Sequence, residues 1–143
     1  MRELIRKVIG EFKSVQLQGQ SEGYVLFVGR EPDTREKVSI KILPRVLPSE
    51  PGAERAFEST ARAIRQLNHP NLVPVRKVGQ ESGLPYLVTR AIETGQSLAD
   101  RLQKSWSVDE AADAVMQIGH ALEHAYNKGV VHGALTPEDI VVQ

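Results

Sequence analysis

The chain has 143 residues, 18 basic and 18 acidic side chains, and no cysteine. That is enough for one domain with a hydrophobic core. The balanced charge leaves no basic excess to hold a nucleic acid backbone or an anionic membrane, and the missing thiols exclude disulfides and thiolate metal sites. No apolar run approaches the roughly 18 residues needed to span a bilayer, and the charged start Met1-Arg2-Glu3-Leu4-Ile5-Arg6-Lys7 does not read as a signal peptide. The expectation is a cytoplasmic protein with neither a nucleic acid nor a membrane partner.

Leu4, Ile5, Val8 and Ile9 recur at helical spacing and predict a leading helix over 1–10, packed on the domain or on a partner. Residues 12–19 and 24–30 read as two strands joined by a glycine-containing turn, Pro32-Asp33-Thr34 as a turn, and 37–43 as a third strand with period-2 alternation. A helix follows over 51–67, with Pro51 near its first turn and Ala56, Phe57, Ala61, Ile64 and Leu67 on its inner stripe. Leu72–Gly79 and Leu84–Thr89 read as strands four and five around the turn Gln80-Glu81-Ser82-Gly83, and 90–96 as a linker. Ser97 with Asp100 opens a short helix over 97–104, and Ser107 with Glu110 forms a clearer capping box at the head of the longest helix, 107–128, which stops at Gly129. One stripe of that helix holds Val108, Ala111, Ala112, Val115, Gly119, Leu122 and Tyr126, and an adjacent one Ala114, Ile118, Ala121 and Ala125. So wide an apolar arc expects cover on more than one side. Residues 129–142 then read as strand, loop, strand, with the loop built on Pro137.

That last loop, His132-Gly133-Ala134-Leu135-Thr136-Pro137-Glu138-Asp139-Ile140, resembles the catalytic loop of the eukaryotic-type Ser/Thr protein kinases, His-Arg-Asp-Leu-Lys-Pro-Glu-Asn-Ile. His132, Leu135, Pro137, Glu138 and Ile140 match, whereas Gly133, Ala134, Thr136 and Asp139 depart. In the family, the Asp at position 134 accepts the proton of the substrate hydroxyl and the Asn at 139 holds magnesium. The resemblance runs from about residue 11 to 142 and covers about half of a kinase domain. It implies an α+β fold: a small lobe of five antiparallel strands and one helix over 11–92, preceded by the arm 1–10, then a partial large lobe over 93–143 with two helices and a short β-loop-β. Gly19-Gln20-Ser21-Glu22-Gly23-Tyr24 lies where the family has its Gly-rich loop. Gly19 takes the first glycine position, Ser21 the second and Tyr24 the third, which puts a ring where phosphate would lie unless the loop shifts to use Gly23. Lys41 falls on the nucleotide-binding lysine, Thr89 on the gatekeeper, and Arg90, Ala91 and Ile92 on the hinge. The family's helix glutamate, counted back from Leu67-Asn68-His69-Pro70-Asn71, is Thr60; Glu58, two residues earlier, is turned about 200° away, so no ion pair with Lys41 is expected.

Other sites read blandly. His120 and His124 share a helix face at metal-ligand spacing, without an evident third ligand. His69 and His132 match structural positions of the family, no nucleophile elbow supports a Ser/His/Asp triad, and Glu138 and Asp139 read as a solvated turn. The lost groups, together with an Asp-Phe-Gly magnesium segment that the sequence does not reach, set the leading expectation. It is a shortened, non-catalytic pseudokinase, not an enzyme, acting as an interaction or scaffold module that meets a protein partner or a second copy through helix 107–128. No cofactor and no metal are expected. The alternative is a regulatory switch that binds ATP without transfer, in a vestigial pocket at Lys41, Gly19, Thr89 and Ile92; a residual kinase ranks last. The sequence is read either as a short natural protein or as a fragment of a longer one.

Overall fold

A computed structural model describes residues 2–20, 24–43 and 52–143, without the side chains of Ala53 and Glu54. The loop tip that includes Gly23 and the helix-entry Pro51 therefore lie outside the described residues. Two compact units form: one from the residues up to Gln66 together with Val73–Ala91, the other from Leu67–Leu72 and Ile92–Gln143.

The first unit is a five-stranded antiparallel sheet in the order β1-β2-β3-β5-β4, made of β1 (Lys13–Gln20), β2 (Val25–Arg30), β3 (Lys37–Ile42), β4 (Val75–Glu81) and β5 (Leu84–Arg90). Alternation along β3 decides its two faces. Val38, Ile40 and Ile42 are each 0% exposed and join Leu84, Tyr86 and Val88 of β5 in the core, whereas Lys37, Ser39 and Lys41 point to the opposite face. Helix α1 (Arg2–Gly10) closes that core: Val8 is buried in it and Leu4, Ile5 and Ile9 pack against it. The leading segment is thus part of the domain's own core. Helix α2 (Ala53–Arg65) lies against β4 and half-buries Phe57, Ala61 and Ile64, while Ala56 of the predicted stripe is exposed. Strands β4 and β5 are joined by the two-residue loop Ser82-Gly83, both residues at positive φ, as a type I′ hairpin turn requires.

β4 begins at Val75, three residues later than Leu72, the expected start. His69-Pro70-Asn71-Leu72 is a turn closed by the Leu72 N–H on the His69 carbonyl, and Pro74 has no N–H to give a ladder.

The second unit holds α3 (Leu98–Arg101) and α4 (Val108–Asn127), with a 3₁₀ turn at Pro137–Asp139 and a two-stranded ribbon of β6 (Gln96–Ser97) and β7 (Val141–Val142). At the head of α4 the Ser107 hydroxyl accepts the Glu110 N–H at 3.1 Å and the Glu110 carboxylate accepts the Ser107 N–H at 2.8 Å, a reciprocal capping box. At its end the Val130 N–H reaches the Ala125 carbonyl and the Gly129 N–H the Tyr126 carbonyl. That is the Schellman pattern, with Gly129 at φ +76°. Helix α4 buries its small side: Ala121 and Ala125 are buried and Ala114 and Ile118 half-buried. The larger stripe faces out, with Val108 at 85%, Val115 at 69% and Tyr126 at 70% exposure. The strand expected at Val130-Val131 does not form; β7 pairs instead with Gln96-Ser97, a partner that local patterning did not show.

Candidate functional site

Pairing register assembles the site across the first unit. Gly19 of β1 lies opposite Leu26 of β2, Leu26 opposite Lys41 of β3, Lys41 opposite Leu87 of β5, and Leu87 opposite Val78 of β4. Directly opposed residues share a face, so one row runs through all five strands with Lys41 at its middle. The parallel row two residues along contains Val28, Ser39, Thr89 and Val75. Gly19, Lys41 and Thr89 therefore stand on one face, away from the α1 core. Lys41 is half-buried, and its ammonium lies 4.0 Å from the centre of the Tyr24 ring. A Cβ added to Gly19 would meet nothing within 4 Å, so the backbone there is open to a close approach. Thr60 and Glu58 are exposed on α2, and Ile92 is exposed in the second unit.

The second unit places the loop residues. Gly133, Ala134, Thr136 and Asp139 are exposed, and Gly133 has φ +77°. The Asp139 carboxylate accepts hydrogen bonds from the Thr136 N–H (3.2 Å) and hydroxyl (3.1 Å), which turn it back onto its own loop. His132 is exposed. His124 uses its Nε2 to accept the Asn68 N–H at 3.4 Å, its ring lies 5.4 Å from that of His69, and the Asn71 side chain donates to Gln117 at 2.8 Å. Those contacts bind the 67–72 turn to α4 and leave His124 a structural role. Among the described residues no group of three or more His, Cys, Asp or Glu side chains is placed to hold a metal. Asp139 is one hard oxygen donor of the kind magnesium takes, and the described residues do not complete a set around it.

A lysine at the centre of a five-stranded antiparallel sheet, followed by a helix and later by a His-to-Ile loop closed on a two-residue strand, defines the class: a protein kinase fold, here the small lobe and part of the large one. The comparisons agree. The family described as protein tyrosine and serine/threonine kinase matches residues 9–143, and the chain belongs to it. Serine/threonine-protein kinase pkn3 of Myxococcus xanthus is 29% identical over 144 residues, which is 99% of this chain and 26% of that protein. Serine/threonine-protein kinase PknE of Mycobacterium bovis is 32% identical over 115 residues, 78% of this chain and 20% of that protein. The fold is that of the Mycobacterium tuberculosis PknI kinase domain, with a TM-score of 0.77 at 21% identity over 92% of this chain and 53% of that one. The chain thus spans about a quarter of pkn3 and about half of the PknI domain structure.

These matches overturn the leading functional expectation. The relatives are named as Ser/Thr protein kinases, and none of the findings supports a non-catalytic scaffold or a protein that is no enzyme. Two physical reasons account for the error. The first is that a missing magnesium segment carries nothing in a chain that spans a fraction of its relatives. The second is that the departures at Thr60, Gly133, Ala134, Thr136 and Asp139 do not together amount to loss of the activity itself: phosphoryl transfer rests mostly on positioning and charge stabilisation, so side chains missing from one motif do not define the class of the protein. No helix among the described residues is long and apolar enough to cross a membrane.

Proposed function

We propose that this chain is the nucleotide-binding lobe and loop-bearing part of a Ser/Thr protein kinase, and that the protein moves the γ-phosphoryl group of ATP to a serine or threonine hydroxyl. The observation that carries the reading is Lys41, half-buried at the centre of the sheet row that begins at Gly19, in a chain matched by the kinase family over 9–143. An ammonium there is a point charge suited to a phosphate, and the open backbone at Gly19 suits close approach by one. ATP enters as the phosphoryl donor, with Thr89 on the same face of the sheet. Ala134 supplies no base. In a loose transition state, with the charge spread over the equatorial phosphate oxygens, positioning carries most of the rate. The test is transfer of labelled γ-phosphate to a Ser/Thr-rich acceptor protein. Transfer that disappears in Lys41→Met supports the reading; none above background, with no rise in melting temperature at millimolar ATP, rejects it.

We further infer that the outward stripe of α4 is covered by protein in the working molecule. Val108, Val115 and Tyr126 expose most of their surface, and apolar patches of more than a few hundred Å² are rare on monomers. The PknI domain structure is nearly twice as long as this chain, so the remainder of such a domain is the occupant we favour. A second copy is the competing one: light scattering that shows a dimer of this chain broken by Val115→Glu would select it, a clean monomer of this chain would reject it, and a longer protein that includes the remainder of the domain and still leaves the stripe open would count against cover of either kind.

A further inference from the structure

Tyr24 stands two residues before Leu26, and Leu26 is the cross-strand partner of Lys41. Alternation puts Tyr24 and Leu26 on one face, which makes Tyr24 the diagonal neighbour of Lys41, within reach of long and aromatic side chains. The contact is made: the Lys41 Nζ lies 4.0 Å from the ring centroid. A ring face attracts an ammonium through its quadrupole but does not neutralise it. One side of the ammonium is therefore already occupied by the ring.

Resting on the reading that Lys41 takes a nucleotide phosphate, we propose that Tyr24 sets the nucleotide affinity of the site as an internal competitor: a polyphosphate binds Lys41 by displacing the ring. A polyanion makes the stronger, charge-assisted contact, so the ring acts as a resistance to binding rather than a block. It acts on the phosphates rather than on the base, because it occupies the ammonium. Phenylalanine at 24 keeps the ring face and should behave as tyrosine does; alanine removes it.

The experiment is calorimetric titration of ATP and of adenosine into the wild-type protein, Tyr24→Ala, Tyr24→Phe and Lys41→Met, with Lys41 acylation rates followed by peptide mass spectrometry. Tyr24→Ala is expected to bind ATP about 2- to 30-fold tighter, which is a cation–π contact of about 0.5–2 kcal/mol converted at about 1.4 kcal/mol per tenfold. Tyr24→Phe should match the wild type, adenosine affinity should not change, and Lys41 should acylate faster once the ring is gone. Should Tyr24→Ala melt, Tyr24→Leu fills the volume without a quadrupole and is expected to show the same gain. Equal or weaker ATP binding in Tyr24→Ala overturns the proposal alone, provided Lys41→Met still weakens ATP. Absence of ATP binding in every variant, with Lys41→Met indifferent, overturns the kinase reading and this proposal with it.

Discussion

Gly79→Ala offers the sharpest check of the packing that holds the sheet. Gly79 of β4 lies directly opposite Tyr86 of β5, and a Cβ built on it would stand 2.7 Å from the Tyr86 Cζ and hydroxyl oxygen and 3.0 Å from Cε1. Tyr86 is 6% exposed and packed into the α1 core, so its ring has little room to swing away. Two effects oppose each other. Alanine in a strand interior gains about 0.5–1 kcal/mol over glycine through backbone entropy. Overpacking a well-filled site costs about 1–3 kcal/mol. The clash wins, and the expected net loss is about 1–2 kcal/mol. In a domain of this size that lowers the melting temperature by about 3–8 °C.

Thermal unfolding by far-UV circular dichroism measures the shift, and a second background isolates its cause. In Tyr86→Leu the ring tip is gone, so Gly79→Ala should lose most of its cost there and show a coupling of about 1 kcal/mol. An alanine that stabilises the wild-type sheet, or one that costs the same in both backgrounds, would refute the reasoning.

Three further outcomes follow from α4 and its head. Ser107→Ala removes the hydroxyl that accepts the Glu110 N–H and should cost about 0.5–2 kcal/mol of stability by chemical denaturation. The Ser107 N–H, then its hydroxyl, then the Arg101 charge hold the Glu110 carboxyl below its ordinary pKa. A depressed carboxylate adds stability that is present above its unfolded pKa of about 4.3 and is lost as pH falls through the lower folded value. The melting-temperature gap between the wild type and Glu110→Gln should therefore be open near neutrality and close as the pH is taken to about 3; a gap that does not change with pH contradicts the sign. Val115→Ser, on the outward stripe, should leave the stability of the isolated chain within about 0.5 kcal/mol of wild type, as its exposure dictates.

Much of the fold was legible because local chemistry and tertiary need coincide in it. Lys37–Ile42 alternates because one face is core; Ser107 and Glu110 cap, and Gly129 stops a helix, by rules that operate within a few residues. What escaped was non-local. The pairing of Val141-Val142 with Gln96-Ser97 joins two dipeptides more than forty positions apart, and no periodicity can show in two residues. On α4 hydrophobicity could not rank the stripes: the burial went to Ala121 and Ala125, and not to Val115, Leu122 and Tyr126. At the candidate site Lys41 was legible from its strand and its resemblance, and Tyr24 was suspected as an obstruction. That the ring rests on the ammonium follows from register, which fixes Leu26 against Lys41 and so brings residue 24 within reach.

The departures in the 132–140 loop are better read by their backbone than by their side chains. Gly133 holds φ +77°, a region a β-carbon strains, so restoring the family's arginine there would alter the loop it was meant to repair. Ala134 carries no such restriction: it is exposed, and its φ is not positive. Ala134→Asp alone thus adds a carboxylate without remaking the turn. General-base catalysis contributes about 10²–10⁴-fold where proton transfer is part of the barrier, but a loose phosphoryl-transfer step has little covalent work for a base to do. On the proposed reading, in which Lys41 and Gly19 of the sheet take the nucleotide, the expected result is a modest rise in kcat, about 10-fold or less, with KM for ATP unchanged. Steady-state transfer assays at saturating acceptor would read it. A rise of about 10³-fold or more would mean that the proton, not the placement of the phosphate, limits this protein, and the positioning argument would fall.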